Sequence, residues 1–384
     1  MAHRLLISAA LCKGEESVIR GIEPCEDVMA TIDCLRAFGV KIEYKRRVAR
    51  VVGIDFSLAE PVGVLNCRES GSTLRFLIPL AWLSGKEVTF VGSERLLSRS
   101  QSVYEQIAKD YGLGFERRKD KIIVQGPLCA GEYFIDGNIS SQFISGMLFA
   151  LSTLSGDSRI IINKRLESEP YVNMTMAAMA DFGVRVYREE EASFFLFGGQ
   201  KYRAAQKRVE GDWSNAAFID ALNCLGGDVR ITGLKKRSLQ GDKLYTKYFA
   251  LLSEGYAEVD ISNCPDLALI LFVVAAVKNG GKFIGTKRLA DKESDRAFAM
   301  ESELLKFGGE LIAEENSVMI LKRELHAPSE RLCGHNDHRI VMSLAILCSL
   351  YGGEIEGCEA VNKSYPDFFR DISRLGIKVE QVNE

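Results

Sequence analysis

The chain repeats one structural unit about six times, and this repetition limits the fold more than any other feature of the sequence. Each copy opens with a polar or charged residue ahead of an apolar helix, passes a glycine-containing turn into a strand, and continues through a second amphipathic helix to another strand. The period is roughly 50–75 residues, which indicates an architecture assembled from repeated supersecondary units. Helix and strand signals alternate throughout, so we predict an α/β or α+β class with sheets covered by helices.

The copies divide evenly along the chain. They open at His3, Ser70, Ser140, Asp212, Pro265 and Asp337. A length of 384 residues exceeds what one ordinary core needs, and no Pro- or Ser-rich linker interrupts the sequence. We therefore predict two domains of three copies each, residues 1–209 and 210–384, with a cleft between them.

The first copy differs from the others at its start. Later copies follow a strand-like stretch, for example Ala257–Ile261, whereas the first begins directly on its helix at Met1. We expect a strand and its loop to be missing from this copy.

Composition excludes several classes of function. The net charge of −3 gives no electrostatic footprint for nucleic acid or acidic lipid. The longest apolar run, 267–277, is far shorter than the roughly 20 residues that a membrane-spanning helix needs.

The ten cysteines form no Cys-x-x-Cys pair, and no secretory signal is present, so we expect reduced thiols in a cytoplasmic protein. His335 and His338 lie three residues apart, but no Cys or Glu stands at ligand spacing, so we predict no metal site.

Polar residues at helix openings are the candidates for anion binding, because unpaired N–H groups and the positive dipole end favour negative charge there. Ser140, Ser141 and Gln142 stand before one apolar helix, although Ser140 or Ser141 alone fits an ordinary N-cap. Gly71 sits among small hydroxyl residues where a ligand can approach the backbone, or where a strand simply turns into a helix. Arg99, between two serines at a predicted helix start, is equally open to either interpretation.

Charged residues cluster in the second half of the sequence. Lys292, Glu293 and Arg296 are predicted to share one helical turn, either as a functional cluster or as a solvated salt-bridge network. Arg339 precedes an apolar helix, where a planar guanidinium suits carboxylate or phosphate. Asp266 precedes a wholly apolar helix, as a cap or as a base held at the cleft.

These motifs, in this order, closely resemble those of the EPSP synthase (3-phosphoshikimate 1-carboxyvinyltransferase) family along essentially the whole chain. The most specific pieces are Ser140-Ser141-Gln142, Pro265-Asp266, Lys292-Glu293-Ser294-Asp295-Arg296 and Asp337-His338-Arg339, supported by Ser168-Glu169-Pro170-Tyr171 and Gln240-Gly241-Asp242. The resemblance implies two inside-out α/β domains, each of three βαβαββ units with helices inside and sheets outside. It also implies transfer of the enolpyruvyl group of phosphoenolpyruvate to the 5-hydroxyl of shikimate 3-phosphate, with release of phosphate, in chorismate and aromatic amino acid biosynthesis.

The resemblance further implies roles for individual residues. Shikimate 3-phosphate is expected at Arg4, Ser140, Ser141, Gln142, Ser168 and Lys292, with Asp266 as the base for its 5-hydroxyl. Phosphoenolpyruvate is expected at Gly71, Arg99, Gln142, Arg296, Arg339 and Lys363. Glu293 and Lys363 are expected to manage protons at the methylene carbon and the bridging oxygen. No metal or organic cofactor is implied, the partners are these two small molecules alone, and we expect a monomer.

One departure from the family pattern concerns the start of the chain. Family members carry a Lys-Ser pair a few residues before the helix that begins here at His3-Arg4, and the sequence starts after that point. We therefore expect the chain as written to be severely impaired or inactive, with a true start upstream or a degraded gene.

Three other functions are alternatives to the one that the resemblance implies. The sister enzyme that acts on a UDP-linked aminosugar usually has a reactive cysteine in the loop equivalent to 92–99, and none is present here. A catalytically inactive remnant that only binds shikimate 3-phosphate is the second. An RNA-end-processing enzyme of related fold is disfavoured, because the sequence has no basic surface signature.

Overall fold

A computed structural model describes residues 1–189 and 193–382. The chain divides into two compact units, Met1–Glu210 and Gly211–Glu384. Both units mix helices with small sheets, which confirms the predicted α/β class.

The first unit contains seven helices and twelve strands among its described residues. The helices are α1 Ala2–Ala10, α2 Glu26–Ala37, α3 Gly71–Leu83, α4 Glu94–Ser98, α5 Ser102–Tyr111, α6 Ser141–Leu151 and α7 Glu169–Ala180. The strands are β1 Glu16–Arg20, β2 Lys41–Lys45, β3 Val48–Val52, β4 Leu65–Asn66, β5 Glu87–Val91, β6 Gly114–Arg117, β7 Lys121–Gln125, β8 Glu132–Asp136, β9 Ser158–Asn163, β10 Tyr187–Glu189, β11 Ser193–Leu196 and β12 Gln206–Arg208. A 3-10 turn spans Phe56–Leu58.

The twelve strands form three four-stranded sheets with one common plan. Their orders are β12-β1-β3-β2, β4-β5-β7-β6 and β8-β9-β11-β10. In each sheet the first pair is parallel and the others are antiparallel. Strands such as β5 alternate exposed and buried residues, so each sheet shows one face to the core and one to solvent.

Among the described residues no strand precedes α1, as the sequence predicts, and the sheet of the first copy takes its outer parallel strand from elsewhere in the unit. β12 comes from the far end of the unit and pairs parallel to β1, with Val18 opposite Gln206. It occupies the position that β4 and β8 hold in the other two sheets, so the edge of β1 is hydrogen-bonded. The short sequence of β12, with no apolar alternation, gives no sign of this pairing.

Helices fill the centre of the first unit. Almost every residue of α3 and α6 is buried, and these two helices pack on each other. Gly146 in α6 makes this approach possible, because a Cβ added there would lie 2.3 Å from the Arg75 carbonyl oxygen and 2.4 Å from Tyr104 Oη. The Tyr104 hydroxyl donates to the same carbonyl at 2.5 Å, which ties α5 to the pair.

The second unit contains six helices and six strands among its described residues. The helices are α8 Trp213–Cys224, α9 Tyr245–Glu254, α10 Ala268–Val277, α11 Arg296–Lys306, α12 His338–Tyr351 and α13 Phe368–Arg374. The strands are β13 Ala257–Asp260, β14 Gly281–Ile284, β15 Glu310–Ala313, β16 Ser317–Leu321, β17 Leu332–Cys333 and β18 Ile355–Glu356. Further 3-10 turns span Gly241–Leu244, Pro265–Leu267, Lys287–Asp291 and Cys358–Lys363.

The fifth copy reproduces the plan of the first unit in a sheet of order β13-β14-β16-β15. Its helix α10 is buried from Ala268 to Ala276, and Phe272 packs edge-on against Phe283 of β14 with 4.9 Å between ring centroids. The helices again lie inside and the sheet outside.

The fourth and sixth copies have fewer strands than the repeat pattern predicts. Residues 225–240 contain no strand, and the sixth copy contributes only the two-residue pair β17 and β18. A strand is stable only beside a hydrogen-bonding neighbour, and the described residues offer none to these stretches. Within the same residues no helix is long and apolar enough to cross a membrane.

The contact at Gly146 gives a test of the packing. We expect Gly146→Ala to lower the free energy of unfolding by about 1–3 kcal/mol, because the added methyl group must push α3 and Tyr104 away. Urea denaturation measures this change. Gly255→Ala is the matched control, since its backbone is extended (φ 176°) and nothing lies within 4 Å of the added Cβ. Equal effects of the two substitutions would contradict the proposed close packing.

Candidate functional site

The first turns of α3 and α6 lie side by side in the first unit. Ser70 Oγ accepts the N–H of Thr73 at 3.2 Å, and Ser140 Oγ accepts that of Gln142 at 3.3 Å, so both serines are N-caps. Gln142 Nε2 then donates to Ser72 Oγ at 3.0 Å, which joins the two helix openings. Two positive helix ends therefore point to the same place, as an anion site requires.

Arg99 packs against the opening of α3. A Cβ added at Gly71 would lie 3.0 Å from Arg99 Nη1, so glycine is needed here for close approach rather than for a special backbone angle. Arg99 is buried. It directly follows α4, and α5 begins only at Ser102, so the prediction that Arg99 opens a helix is wrong. Its backbone is extended (φ −62°, ψ 147°), which ends α4 at Ser98.

Arg75 connects these groups and was missed in the sequence. Its Nη1 donates to Gln142 Oε1 at 3.0 Å and its Nη2 to the Ser100 carbonyl at 2.8 Å. The guanidinium also lies over the Phe143 ring, 4.7 Å from its centroid. An arginine in the middle of the otherwise apolar helix α3 is the signal that would have revealed it.

Arg4 is a buried cation with neutral partners. Its Nε donates to Thr175 Oγ1 at 2.8 Å and its Nη2 to the Tyr171 carbonyl at 3.1 Å. No carboxylate of the residues that the structure describes lies within 4 Å of it, and burial lowers the pKa of Arg4 to about 10. An anionic ligand would relieve this uncompensated charge.

Ser168 lies at the same helix that Arg4 contacts. It precedes α7 with a left-handed backbone (φ 56°), and its carbonyl accepts the Tyr171 N–H. The site residues predicted in this unit thus fall into two groups. The larger group lies around the openings of α3 and α6 and consists of Gly71, Arg99, Ser140, Ser141 and Gln142. The smaller group, Arg4 and Ser168, lies by α7.

Asp266 is the centre of the candidate site in the second unit. Its Oδ1 lies 3.1 Å from Lys292 Nζ and 3.0 Å from Arg296 Nη1, and its Oδ2 lies 3.4 Å from Arg339 Nη2. Asp266 sits in the 3-10 turn before α10 and makes no side-chain cap bond there. The N-cap interpretation is therefore wrong, because the carboxylate is drawn to three cations instead.

Arg296 is almost completely buried, with 1 % of its side chain exposed, and three carboxylates surround it. Besides Asp266, it contacts Glu293 Oε2 through Nη2 at 2.8 Å and Asp337 Oδ2 through Nε at 2.8 Å. The helix begins only at Arg296, so the expected helical turn over 292–296 is wrong. Asp295 is the N-cap and Lys292 has an extended backbone, which frees Lys292 to reach Asp266.

These contacts shift the pKa values of both aspartates downwards. Burial alone would raise the pKa of Asp266, but Arg339, Lys292 and Arg296 outweigh it and hold that pKa well below the usual value. Burial likewise opposes ionisation of Asp337, and Arg296 nonetheless lowers its pKa. Both carboxyl groups are therefore ionised at neutral pH.

Arg339 and Lys363 complete this group of side chains. Arg339 Nη1 donates to Ser214 Oγ at 2.6 Å and to the Asp266 carbonyl at 3.0 Å. Lys363 Nζ donates to Asn336 Oδ1 at 2.7 Å and to the Asn336 carbonyl oxygen. Ser214 and Asn336 were not identified in the sequence, since a serine after an N-cap and an asparagine in a loop have no distinctive pattern.

The two histidines weighed as a metal pair have other surroundings. His335 Nε2 lies 3.0 Å from Glu303 Oε1, whereas His338 is buried at the start of α12. Within residues 1–189 and 193–382 no group of three or more His, Cys, Asp or Glu side chains could hold a metal ion.

Comparisons with known proteins agree on one family. The family model described as EPSP synthase (3-phosphoshikimate 1-carboxyvinyltransferase) matches residues 1–372. The chain is 37% identical over 409 residues to the 3-phosphoshikimate 1-carboxyvinyltransferase of Clostridium botulinum (strain Alaska E43 / Type E3), covering 100% of this chain and 94% of that protein. It is 39% identical over 407 residues to that of Clostridium novyi (strain NT), covering 98% and 93%.

A solved structure has the same fold. The EPSP synthase of Acinetobacter baumannii superimposes with a TM-score of 0.77 at 20% identity, covering 99% of this chain and 94% of that one. The enolpyruvyl transferase NikO from Streptomyces tendae gives a TM-score of 0.73 at 12% identity, covering 98% and 93%.

The environment of His338 gives a testable pH dependence. Burial, followed by Arg339, lowers the pKa of His338 to about 4 from 6.5. Between pH 6.5 and pH 4 this histidine is protonated in the unfolded chain but not in the folded one. The free energy of unfolding should therefore fall as the pH falls, and His338 should account for about 3 kcal/mol of that fall. Urea denaturation at several pH values should therefore show a shallower dependence for His338→Gln than for the wild type. His326→Gln, at an exposed histidine, is the control; an unchanged slope in His338→Gln would refute the assignment.

Proposed function

The chain belongs to the EPSP synthase (3-phosphoshikimate 1-carboxyvinyltransferase) family, and on that basis we propose that it transfers the enolpyruvyl group of phosphoenolpyruvate to the 5-hydroxyl of shikimate 3-phosphate, releasing phosphate. The observation that carries the proposal is the convergence of Lys292, Arg296 and Arg339 on Asp266. Both substrates carry a phosphate and a carboxylate, so cations must offset their mutual repulsion. Each charge-assisted contact contributes roughly 1.5–3 kcal/mol.

Shikimate 3-phosphate is assigned to two sets of groups. In the first unit these are the opening of α6, with Ser140, Ser141 and Gln142, and the buried pair Arg4 and Ser168. Hydroxyl and amide donors at a helix start suit phosphate oxygens, and Arg4 supplies a buried positive charge that no carboxylate within residues 1–189 and 193–382 neutralises. Lys292 is assigned to the phosphate of the same substrate.

Phosphoenolpyruvate is assigned mainly to guanidinium groups. Arg99 with Gly71 and Gln142 belongs to this set, as do Arg296, Arg339 and Lys363. Arginine suits this role because its planar donors match two oxygens of a carboxylate or phosphate at once. The bare backbone at Gly71 lets Arg99 lie flat against the helix opening.

Asp266 is the proposed base for the 5-hydroxyl. Its low pKa in the free enzyme makes it a weak base, because three cations stabilise the carboxylate. Anionic substrates compete for Lys292, Arg296 and Arg339, and every contact they take weakens that stabilisation. Burial disfavours the charged carboxylate, so the pKa of Asp266 rises once the cations no longer offset burial. A higher pKa makes Asp266 a stronger base.

The remaining protons are assigned to Glu293 and Lys363. As the 5-hydroxyl oxygen attacks the central carbon of phosphoenolpyruvate, the methylene carbon gains a proton and a tetrahedral intermediate forms. Elimination removes a proton from the new methyl group, breaks the carbon–oxygen bond to phosphate and restores the double bond. Glu293 contacts Arg296, so a carboxylate stands beside one of the proposed phosphoenolpyruvate cations.

The names of the relatives favour shikimate 3-phosphate over a UDP-linked aminosugar as acceptor. A cytoplasmic monomer with enolpyruvyl-transferase domains at 1–209 and 210–384 remains our proposal for the organisation. The impaired activity expected from the start of the sequence remains a prediction, which the following assay measures.

The proposed chemistry is tested by phosphate release from phosphoenolpyruvate, with and without shikimate 3-phosphate. We expect release only when both are present. Asp266→Asn should lower kcat by about 100- to 10,000-fold, the usual contribution of a positioned base. It should not weaken binding of shikimate 3-phosphate in calorimetry, because the substitution removes a negative charge.

Glu258→Gln is the control, since Glu258 pairs with Lys282 on an outer sheet. It should behave like the wild type. Equal kcat values for Asp266→Asn and the wild type would remove Asp266 from the mechanism. Binding of shikimate 3-phosphate without any turnover by the wild type would favour the inactive remnant instead.

A further inference from the structure

Glu303 is a buried carboxylate that the assigned roles leave unexplained. It lies on α11, two turns after Arg296, and only 1% of the residue is exposed. A buried carboxylate is costly unless its oxygens are fully used. Glu303 meets this condition through Lys306, at 3.0 Å, and through the loop that precedes α12.

Two bonds fix that loop to Glu303. The backbone N–H of Cys333 donates to Oε2 at 2.9 Å, and His335 Nε2 lies 3.0 Å from Oε1. Because a carboxylate oxygen accepts, the imidazole of His335 donates from Nε2. One side chain therefore holds both the start and the middle of the segment 333–337.

This segment has an unusual backbone. His335 and Asn336 both adopt positive φ angles, 48° and 49°, which residues with side chains rarely do. There is no room for a side chain at Gly334, because a Cβ there would lie 2.6 Å from Val341 Cγ2 and 2.7 Å from the Glu356 carbonyl oxygen. Such a conformation persists only where the surroundings impose it.

The same segment orients three of the proposed phosphoenolpyruvate cations. Asn336 accepts Lys363 Nζ through its backbone and side-chain oxygens. Asp337 accepts Arg296 Nε and also the backbone N–H of Arg339. Any shift of the segment would therefore move the partners of Lys363 and Arg296 and the start of the helix that carries Arg339.

We propose that Glu303 is a positioning residue for phosphoenolpyruvate: by bracing residues 333–337 through Cys333 and His335, it sets the geometry of Lys363, Arg296 and Arg339. The inference rests on the proposed function, which assigns these cations to that substrate. Glu303 itself is not among the residues assigned to either substrate. Removing its acceptor oxygens should affect phosphoenolpyruvate selectively.

The main variant is Glu303→Met, which has a similar length but no acceptor for Cys333 or His335. Displacement of the braced cations should lower kcat/KM for phosphoenolpyruvate by about 10- to 100-fold. The affinity for shikimate 3-phosphate, measured by calorimetry, should fall by less than kcat/KM for phosphoenolpyruvate, because most of its assigned groups belong to the first unit.

Two further variants separate positioning from general destabilisation. Glu303→Gln keeps an acceptor for Cys333, and the other tautomer of His335 can accept from the amide, so most of the activity should return. Leu304→Ala removes a buried apolar side chain of the same helix, which cannot hydrogen-bond to the segment, and it should lower the thermal midpoint while leaving KM for phosphoenolpyruvate unchanged.

Hydrogen exchange keeps this inference distinguishable from the proposed function. The amides of Cys333 and Asp337 should exchange faster in Glu303→Met than in the wild type, whether or not the protein turns over, because the brace on their segment is lost. If the wild type releases no phosphate, the proposed function fails and the exchange rates still test the brace. Unchanged exchange, an unchanged KM for phosphoenolpyruvate, or parallel losses for both substrates would overturn the positioning role.

Discussion

Helices that are buried along nearly their whole length impose the main constraint on this protein. α3, α6, α10 and the first ten residues of α12 lie inside their units, with sheets on the outside. A buried polar group along such a helix is costly unless it is hydrogen-bonded, as Arg75 is in α3, so most of the polar residues stand near the helix openings. Several candidate site residues stand at the openings of these four helices: Gly71, Ser140, Ser141, Asp266 and Arg339. The same arrangement that builds the core therefore also places unpaired N–H groups and charges together.

The two units handle buried positive charge in different ways. In the second unit, protein carboxylates neutralise the cations, and Asp337, itself wholly buried, accepts from Arg296. Burial opposes the charged form of Arg296, but the neighbouring Asp337, Glu293 and Asp266 raise its pKa. In the first unit, Arg4 donates to a hydroxyl and a carbonyl and lies over the Phe76 ring, all neutral groups, and burial lowers its pKa. An anion bound at Arg4 would offset a cost that already exists, whereas one bound at Arg296 must compete with a carboxylate.

The class of fold and most of the candidate residues follow from sequence because they depend on local patterns. An apolar helix after Ser140-Ser141-Gln142 or Pro265-Asp266 can be read directly, and the structure has both. The predictions from sequence fail where contacts between residues distant in the sequence determine the local structure. β12 joins β1 across almost 190 residues, and Lys292 leaves the helical register because Asp266 attracts it. Ser214 and Glu303 act through partners remote in sequence, so no local pattern identifies them, whereas Arg75 stands out as an arginine within an apolar helix.

Asp266 shows why a site of this kind needs more positive charge than its substrates alone would demand. Four cations, Lys292, Arg296, Arg339 and Lys363, stand against the three carboxylates Asp266, Glu293 and Asp337. In the free protein the carboxylates hold Lys292, Arg296 and Arg339 in position, and Asn336 holds Lys363. In the proposed function, phosphate and carboxylate groups of the substrates take over these cations, and a carboxylate that had served as a counter-ion becomes a stronger base. On that proposal, the ion pairs of the free protein preorganise the cations for binding and their loss prepares Asp266 for proton transfer, which would link substrate recognition to chemistry at one side chain.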